Sequence, residues 1–194
     1  MNRLVTPGAA LAACLCVAVL GAALRAGGPA LRYVADPGTS RLEFSGLQAG
    51  AEFQGVFRKF TAVINFAPDA LADSQFNVEI YLNSVDTLDD DRDSTMRGAD
   101  IFDVARFPSA RYVTRSFTKS ASGYTAVGSL TLHGVTQDVP INFQFAPTAG
   151  GAKLSGTAKL KRLDFGVGQG DWKSTKSVGD EVNVAFALVL KPGP

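Results

Sequence analysis

The sequence FNVEIYL, which begins at Phe76 and ends at Leu82, decides the fold class of this 194-residue chain. Its apolar residues stand at every second position, with Val78 and Ile80 between the two ends, and mainly polar residues separate them. Successive side chains of a β-strand point to opposite faces, so a period of two predicts a strand with one apolar face. We therefore expect the apolar set to point inward and Glu79, with its neighbours of the same phase, to point outward.

The same alternation recurs along most of the chain after residue 40. Gly, Pro, Asp, Asn and Ser separate the alternating runs, as is usual where antiparallel neighbours are joined by turns. At least eight strands in an antiparallel meander are predicted. Their apolar sets are Leu42/Phe44, Ala51/Phe53/Phe57, Phe60/Ile64/Phe66, Leu130/Leu132, Ile141/Phe143/Phe145, Leu154/Ala158/Leu160 and Val182/Val184/Phe186/Leu188/Leu190.

One segment, beginning at Thr87, breaks the period of two. Thr87 can cap a helix N-terminus, three aspartates follow in the first turn, and Gly98 is typical of a helix end. These signals predict one short helix near residues 88–98. Met96 and Phe102 give this segment an apolar side, so we expect it to lie across one end of the sheet and cap it.

Eight or more strands with one apolar face can form a sandwich or a closed barrel. Closure leaves no open strand edges, and about eight strands leave an interior that side chains fill or that holds one small ligand. The inward phase mixes large Phe with small Ala and Gly, which favours a pocket, but the same mixture also interdigitates in an ordinary core. The pattern alone leaves pocket and solid core open.

The N-terminus has the composition of an export signal. Arg3 precedes an uncharged stretch from Leu4 to Leu24, and small residues continue to Ala30. We predict a signal peptide at residues 1–30, cleaved after Ala30. An uncleaved membrane anchor is the alternative, because the uncharged stretch is about as long as the ~20 residues that cross a bilayer.

Composition and charge exclude several classes of function. Apolar residues make up 46% of the chain, too many for a disordered protein. The formal net charge of +1, without a basic run, argues against a nucleic-acid partner. Cys14 and Cys16 are the only cysteines and lie in the predicted signal peptide. Disulfides and Cys-ligated metal sites are therefore not expected in the folded domain.

The usual patterns of catalytic and metal sites are also missing from the sequence. His133 is the single histidine, so a His-based triad has no second candidate, and we expect it to serve a turn or a surface hydrogen bond. The acidic run Asp89–Asp93 lacks the spacing of a Ca²⁺ loop and fits a helix N-terminus. No helical pattern follows the glycines of Gly166–Gly170, as a phosphate-binding loop requires. The sequence predicts no catalytic residue and no metal site.

Three segments carry motifs that occur together in one known family. They are RD at 92–93 followed by DIFDVARFP at 100–108, GSLTLHGVTQDVP at 128–140, and RLDFGVG at 162–168 followed by Trp172 and DEV at 180–182. In this order they resemble the YceI-like family of lipid/polyisoprenoid-binding, lipocalin-like proteins, and the resemblance covers residues 33–191. The chain departs from the family at 96–99, where MRGA stands in place of a His-Leu-containing stretch. A YceI-like domain is thus expected over residues 31–194.

The resemblance implies an all-β fold, an extended antiparallel lipocalin-like β-barrel of about eight strands around an apolar tunnel. It implies an isoprenoid lipid, such as a quinone or a polyprenyl chain, as ligand, no other cofactor, and a periplasmic location. Binding, transport or storage of that lipid without catalysis is the expected function, with transient contact with the inner membrane; the oligomeric state stays open, a homodimer included. The expected lipid-binding residues are Phe44, Phe53, Phe57, Ile64, Val78, Ile80, Leu82, Met96, Phe102, Leu130, Leu132, Phe143, Phe145, Phe165, Phe186 and Leu188.

Two other functions remain open at this point. An enzyme could act on the lipid head group, with Asp164, Arg162 or His133 at the mouth of the barrel. A structural or stress-related envelope barrel would instead have a solid core and no ligand.

Overall fold

A computed structural model describes residues 30–194. The predicted signal peptide, apart from Ala30, and both cysteines lie outside the described residues. One α-helix, α1 (Asp90–Arg97), accompanies eleven β-segments. The segments are β1 (Leu31–Ala35), β2 (Arg41–Gln48), β3 (Ala51–Phe57), β4 (Phe60–Phe66), β5 (Gln75–Tyr81), β6 (Val85–Asp86), β7 (Ser109–Ser120), β8 (Gly123–Leu132), β9 (Val135–Thr148), β10 (Gly151–Lys161) and β11 (Glu181–Pro192).

These segments form a closed, eight-stranded antiparallel β-barrel, as predicted. Three of the eight strands are interrupted. β1 and β2 follow one another along β11 and form the first interrupted strand. β3 and β4 form the second, because β4 pairs with β1 and β3 with β2. β5 and β6 form the third, because they pair with β4 and β3 respectively. β11 closes the ring by pairing with β10 on one side and with β1 and β2 on the other.

The strand order is the predicted meander. When β1/β2, β3/β4 and β5/β6 are each counted as one strand, every hydrogen-bonded pair joins strands that are neighbours in the chain, except that β11 closes the ring on β1 and β2. Short turns suffice for most of these connections, such as Ser120 to Gly123 between β7 and β8. Two longer connections lie at one end of the barrel. They are residues 87–108, which contain α1, and residues 162–180, which contain two short 3-10 turns.

The alternation in β5 has the predicted orientation. Phe76 and Leu82 are each only 1% exposed, whereas Asn77 is exposed. Glu79 lies on the outer face, where its Oε1 accepts a hydrogen bond of 3.0 Å from Ser109 Oγ. The period of two therefore identified the inward face of this strand correctly.

The helix ends at Gly98 as predicted, but its predicted N-cap is wrong. Asp89, not Thr87, caps α1, because its Oδ1 accepts from the backbone N–H of Arg92 at 3.0 Å. Leu88 has φ +59°, outside the right-handed helical region, so the helix cannot begin before it. Thr87 instead donates from its backbone N (2.9 Å) and its Oγ1 (2.7 Å) to Oδ1 of buried Asp93.

Helices long and apolar enough to cross a membrane are absent from residues 30–194.

Candidate functional site

A cavity of about 470 Å³ occupies the half of the barrel nearest α1. Its volume is typical of small-molecule sites, which span about 300–1,000 Å³. Leu, Ile, Val and Phe side chains from the inward faces of the strands form most of its wall. Polar groups are grouped at the α1 end, where the wall includes Gln48, Asp91, Arg92, Thr95 and Arg162. The barrel is thus hollow on this side, which decides between the pocket and the solid core that the sequence left open.

Most of the residues expected from the sequence to bind lipid line this cavity. Phe143, Phe145 and Phe165 do not. Phe165 is 1% exposed and packs in the hydrophobic core from the turn that follows β10. The residues that do line it are Phe44, Phe53, Phe57, Ile64, Val78, Ile80, Leu82, Met96, Phe102, Leu130, Leu132, Phe186 and Leu188. Their position in the wall does not test whether they contact a lipid, so lipid binding by these residues stays a prediction.

A layer of aromatic rings, here called the aromatic floor, fills the barrel at the end opposite α1. Phe66 is at its centre, with ring centroids 4.9 Å from Phe145, 5.0 Å from Tyr124 and 5.4 Å from Phe143. Phe76 alone among the floor residues also lines the cavity. The cavity therefore ends at this layer and is a blind pocket on the α1 side, shorter than the tunnel that the resemblance implied. The aromatic floor consists of Phe66, Phe76, Phe117, Tyr124, Phe143 and Phe145.

Glycines opposite phenylalanines help to keep the cavity open. In the register of the sheet, Phe44 faces Gly55 and Phe186 faces Gly156. A Cβ atom added to Gly55 would lie 2.4 Å from the Phe44 ring, and one on Gly156 would lie 2.5 Å from the Phe186 ring. Each ring therefore lies against the bare backbone of its neighbour. The mixture of large and small inward residues thus keeps the cavity open, because a ring that lies against the wall takes up less of the lumen.

Helix α1 is fixed at the rim of the cavity by polar contacts of Arg97 and of buried Asp93. Arg97 donates to the carbonyls of Asn83 (3.2 Å) and Val85 (2.9 Å), and Asp93 holds Thr87 as described above. Met96, directly before Arg97 and three residues after Asp93, is 8% exposed and contributes to the cavity wall. The segment that interrupts the strand pattern thus supplies one side of the mouth.

Arg92 links α1 to the hairpin of β2 and β3. Its Nε donates to Gln48 Oε1 at 3.0 Å, and its guanidinium carbon lies 5.1 Å from the ring centroid of Phe53. A second contact, 3.2 Å between Nη2 and Asp89 Oδ2, pairs its charge within the helix. The charge of Arg92 is therefore already balanced at the mouth.

Arg162 lies in the cavity wall. From the sequence it was expected at the mouth of the barrel only for the enzyme alternative, and it was not among the expected lipid-binding residues. The signal was present in the sequence, because Ala158 and Leu160 occupy the inward phase of β10 and Arg162 is the next residue in that phase. Its side chain is buried, and burial lowers the pKa of its guanidinium while nearby Asp180 raises it. An arginine nevertheless stays charged in proteins.

Tyr112 is a polar residue that lies deeper in the wall than the polar groups at the mouth. Its hydroxyl donates to the backbone carbonyl of Val139 at 2.9 Å. Burial raises the pKa of this phenol above its usual value of 10.0. The group is thus a neutral hydrogen-bond donor that is satisfied within the barrel.

His133 takes part in a turn, as expected, but makes no surface hydrogen bond through Nε2. It has φ +52° in the connection between β8 and β9, and its ring centroid is 4.8 Å from that of Phe107. Its Nε2 is buried without a hydrogen-bond partner among the described residues. Among residues 30–194, His, Cys, Asp and Glu side chains form no group of three that could hold a metal ion.

Comparison with protein families gives one match over most of the chain. The model of the YceI-like domain matches residues 33–190. A UPF0312 protein of Yersinia enterocolitica is 36% identical over 121 residues, and one of Yersinia pestis is 35% identical over 121 residues. Both alignments cover 58% of this chain and 62% of the relative, so they span less than two thirds of these curated relatives.

Solved structures share the barrel. BcnA of Burkholderia cenocepacia superposes with a TM-score of 0.75 at 30% identity, covering 79% of this chain and 98% of BcnA. A YceI protein of Campylobacter jejuni has a TM-score of 0.62 at 26% identity, covering 74% and 86%. A polyisoprenoid binding domain from Saccharophagus degradans, implicated in plant cell wall breakdown, has a TM-score of 0.64 at 20% identity, covering 84% and 99%. At that identity the last likeness concerns the fold alone.

Proposed function

This chain belongs to the YceI-like family, and we propose that it binds an isoprenoid lipid in the apolar cavity without catalysing a reaction. The observation that carries the proposal is the enclosed wall of Leu, Ile, Val and Phe side chains in one half of the barrel. Each methylene group that moves from water into such a wall contributes about 0.8 kcal/mol. Affinity for an apolar chain therefore increases with the length of chain that fits.

An isoprenoid tail is the apolar chain that we favour. The fold is shared with a domain described as polyisoprenoid binding, and the three motif segments resemble a family that takes such lipids. A quinone or polyprenyl lipid would enter tail first from the α1 end, because the aromatic floor fills the other end. Binding without catalysis fits a wall whose polar residues are few and, apart from Tyr112, grouped at the mouth.

We further propose that the protein carries or stores this lipid in the periplasm. The predicted signal peptide supports export, and a lipid that is almost insoluble in water needs a protein shell to leave a membrane. Transient contact of the α1 end with the inner membrane would allow loading. Fractionation of the native cells, followed by detection of the protein in the periplasmic fraction, tests the location independently of the ligand.

The ligand is tested by solvent extraction of the protein purified from its native cells, followed by mass spectrometry. We expect a polyisoprenoid in the extract. Only phospholipid, or no lipid at all, would contradict the proposal.

A pair of variants links the lipid to the cavity. Ala158 lies in the cavity wall, and Thr157, the preceding residue of β10, is exposed on the outer face. We expect Ala158→Phe to stay folded and to lose the lipid, because its ring takes up space in the lumen. Thr157→Phe should keep it. If Ala158→Phe instead unfolds and the parent protein contains no lipid, the structural barrel is the better explanation.

A further inference from the structure

Arg162 has a position that the proposed function does not use. Its side chain is only 5% exposed and lies in the wall of the cavity. Every nitrogen of its guanidinium donates to a backbone carbonyl of the connection between β10 and β11. Nε donates to Gly179 (2.9 Å), Nη1 to Val167 (2.9 Å) and Nη2 to Val178 (2.8 Å).

These three hydrogen bonds use only some of the N–H donors of the guanidinium. A guanidinium has five N–H donors, so one N–H remains on Nη1 and one on Nη2. Within residues 30–194 no ion pair includes Arg162, and the nearby Asp180 accepts from the backbone N–H of Leu163 at 3.1 Å. A buried charge of this kind is costly unless further acceptors surround it.

The backbone around Arg162 leaves room for the guanidinium. Gly168 has φ +88°, and a Cβ atom on it would lie 2.0 Å from Arg162 Nη1. The backbone N–H groups of Gly168 (2.9 Å) and Gln169 (2.7 Å) in turn donate to the carbonyl of Asp100, which fixes this connection against the segment that follows α1. The guanidinium is therefore held in one place at the mouth of the cavity.

We propose that Arg162 donates its two remaining N–H groups to an acceptor oxygen on the head group of the bound lipid. This inference rests on the proposed function and adds an orientation and a ligand class. The head group lies at the α1 end and the tail points to the aromatic floor. Lipids with an exposed carboxylate, phosphate or quinone carbonyl oxygen are preferred over lipids that end in hydrocarbon, because only the former accept from the guanidinium.

Probes with one tail and different ends test the preference. We would measure the dissociation constants of a fifteen-carbon isoprenoid as the carboxylic acid, the monophosphate, the alcohol and the hydrocarbon, and of a quinone with a tail of similar length. Hydrogen bonds to a charged group predict that the favoured oxygen-bearing probes bind about tenfold to a hundredfold more tightly than the hydrocarbon. Comparing the dissociation constants of the acid and the phosphate with that of the quinone distinguishes an anionic from a neutral head group.

Two variants show whether Arg162 is the cause. Arg162→Met keeps an unbranched apolar side chain but removes the guanidinium, and it should remove the preference while leaving hydrocarbon binding within about twofold. Lys159→Met removes a cation from the outer face of β10, the strand that precedes Arg162, where Lys159 pairs with Glu181, and should keep the preference. A loss of affinity for all probes alike in Arg162→Met would mean that the residue only fixes the connection, and would overturn the inference.

The unmodified protein provides a second measurement in case Arg162→Met does not fold. The side-chain ¹⁵N resonances of Arg162 should shift when the preferred oxygen-bearing probe binds and stay unchanged with the hydrocarbon. Equal shifts with both probes, or none, would overturn the inference. If the hydrocarbon binds as tightly as the oxygen-bearing probes, only the role of Arg162 is contradicted and the proposed function stands. If no probe binds, the proposed function is contradicted as well.

Discussion

The pairing of Gly55 with Phe44 allows a test at the scale of one residue. A glycine in a strand is usually a weakness, and replacement by alanine stabilises by about 0.4–1 kcal/mol where the backbone conformation suits both. Here the new methyl group would overlap the Phe44 ring and also approach Thr87 Cγ2, at 2.8 Å. We predict that Gly55→Ala destabilises the barrel by about 1–3 kcal/mol, as overpacking does.

Urea unfolding of single and double variants checks this explanation. Phe44→Leu combined with Gly55→Ala should cost less than the sum of the two single changes, because the smaller side chain gives space to the methyl group. Additive costs would mean that the ring and the glycine are not coupled.

Tyr112 should make the stability of the protein sensitive to alkaline pH. Because burial raises the pKa of its phenol in the folded state, this group favours folding up to about pH 10, and that contribution is lost as the pH rises further and the unfolded chain ionises first. Tyr112→Phe loses the hydrogen bond to Val139, so we predict a cost of about 1 kcal/mol at pH 7. The variant should then lose less stability than the parent between pH 9 and 11.

Chemical unfolding at several pH values measures both effects. Tyr81→Phe on the outward side of the same sheet is the matched control for loss of a phenol hydroxyl. Parallel pH curves for the parent and Tyr112→Phe would contradict the prediction.

At the scale of the element, α1 depends on the buried carboxylate of Asp93. Asp93→Ala would leave the backbone N–H of Thr87 without its acceptor and the Thr87 hydroxyl with only a 3.5 Å contact to the carbonyl of Asp89. We predict a loss of about 2–4 kcal/mol, since a buried backbone donor would lose its partner and a buried hydroxyl its shorter hydrogen bond. Asp90→Ala, exposed on the same helix, should change stability by at most about 0.5 kcal/mol. Thermal or urea unfolding of the two variants checks the difference, and equal costs would contradict it.

The aromatic floor should limit the length of tail that the cavity accepts. Phe143 contacts Phe66, Phe76 and Tyr124 with ring centroids 5.1–5.4 Å apart, so Phe143→Ala opens space next to the cavity. We predict that the variant loses about 3–5 kcal/mol of stability and gains relative affinity for longer tails. Binding of isoprenoid alcohols of increasing length to the parent and to the variant measures this. An unchanged length preference would mean that the floor does not limit the tail.

The strands also show what the sequence can and cannot specify. Hydrophobic alternation predicted which face of β5 and β10 points inward, because that depends only on the period of two. It could not tell that Phe143 lies in the floor and Phe186 in the cavity wall, since depth along a barrel depends on the register between strands. Arg162 was expected at the mouth only for the enzyme alternative and was not counted among the lipid-binding residues. It continues the inward phase of β10, but a charged residue does not fit an apolar pattern.

The start of α1 shows the same limit for local signals. Thr87 and Asp89 are both good N-cap residues, and the sequence alone does not choose between them. The choice follows from the left-handed backbone at Leu88 and from buried Asp93, which needs Thr87 as a donor. Such tertiary contacts lie beyond the window of residues that a capping rule considers.

At the scale of the whole molecule, the meander has a consequence for the order of folding. Hairpins between neighbouring strands involve nearby residues and can form early, whereas the closing contact of β11 joins distant ones. Val189 N, for example, donates to Ser40 Oγ at a separation of 149 residues. Bringing such distant segments together has the largest chain-entropy cost and tends to be slow. Until β11 is in place, the hairpins form an open curved sheet with two free edges and an uncovered apolar face, which is the kind of surface that promotes aggregation. The interior thus comes into being only with the final strand, and a chain interrupted before Glu181 would lose its cavity and its protection from self-association in a single step.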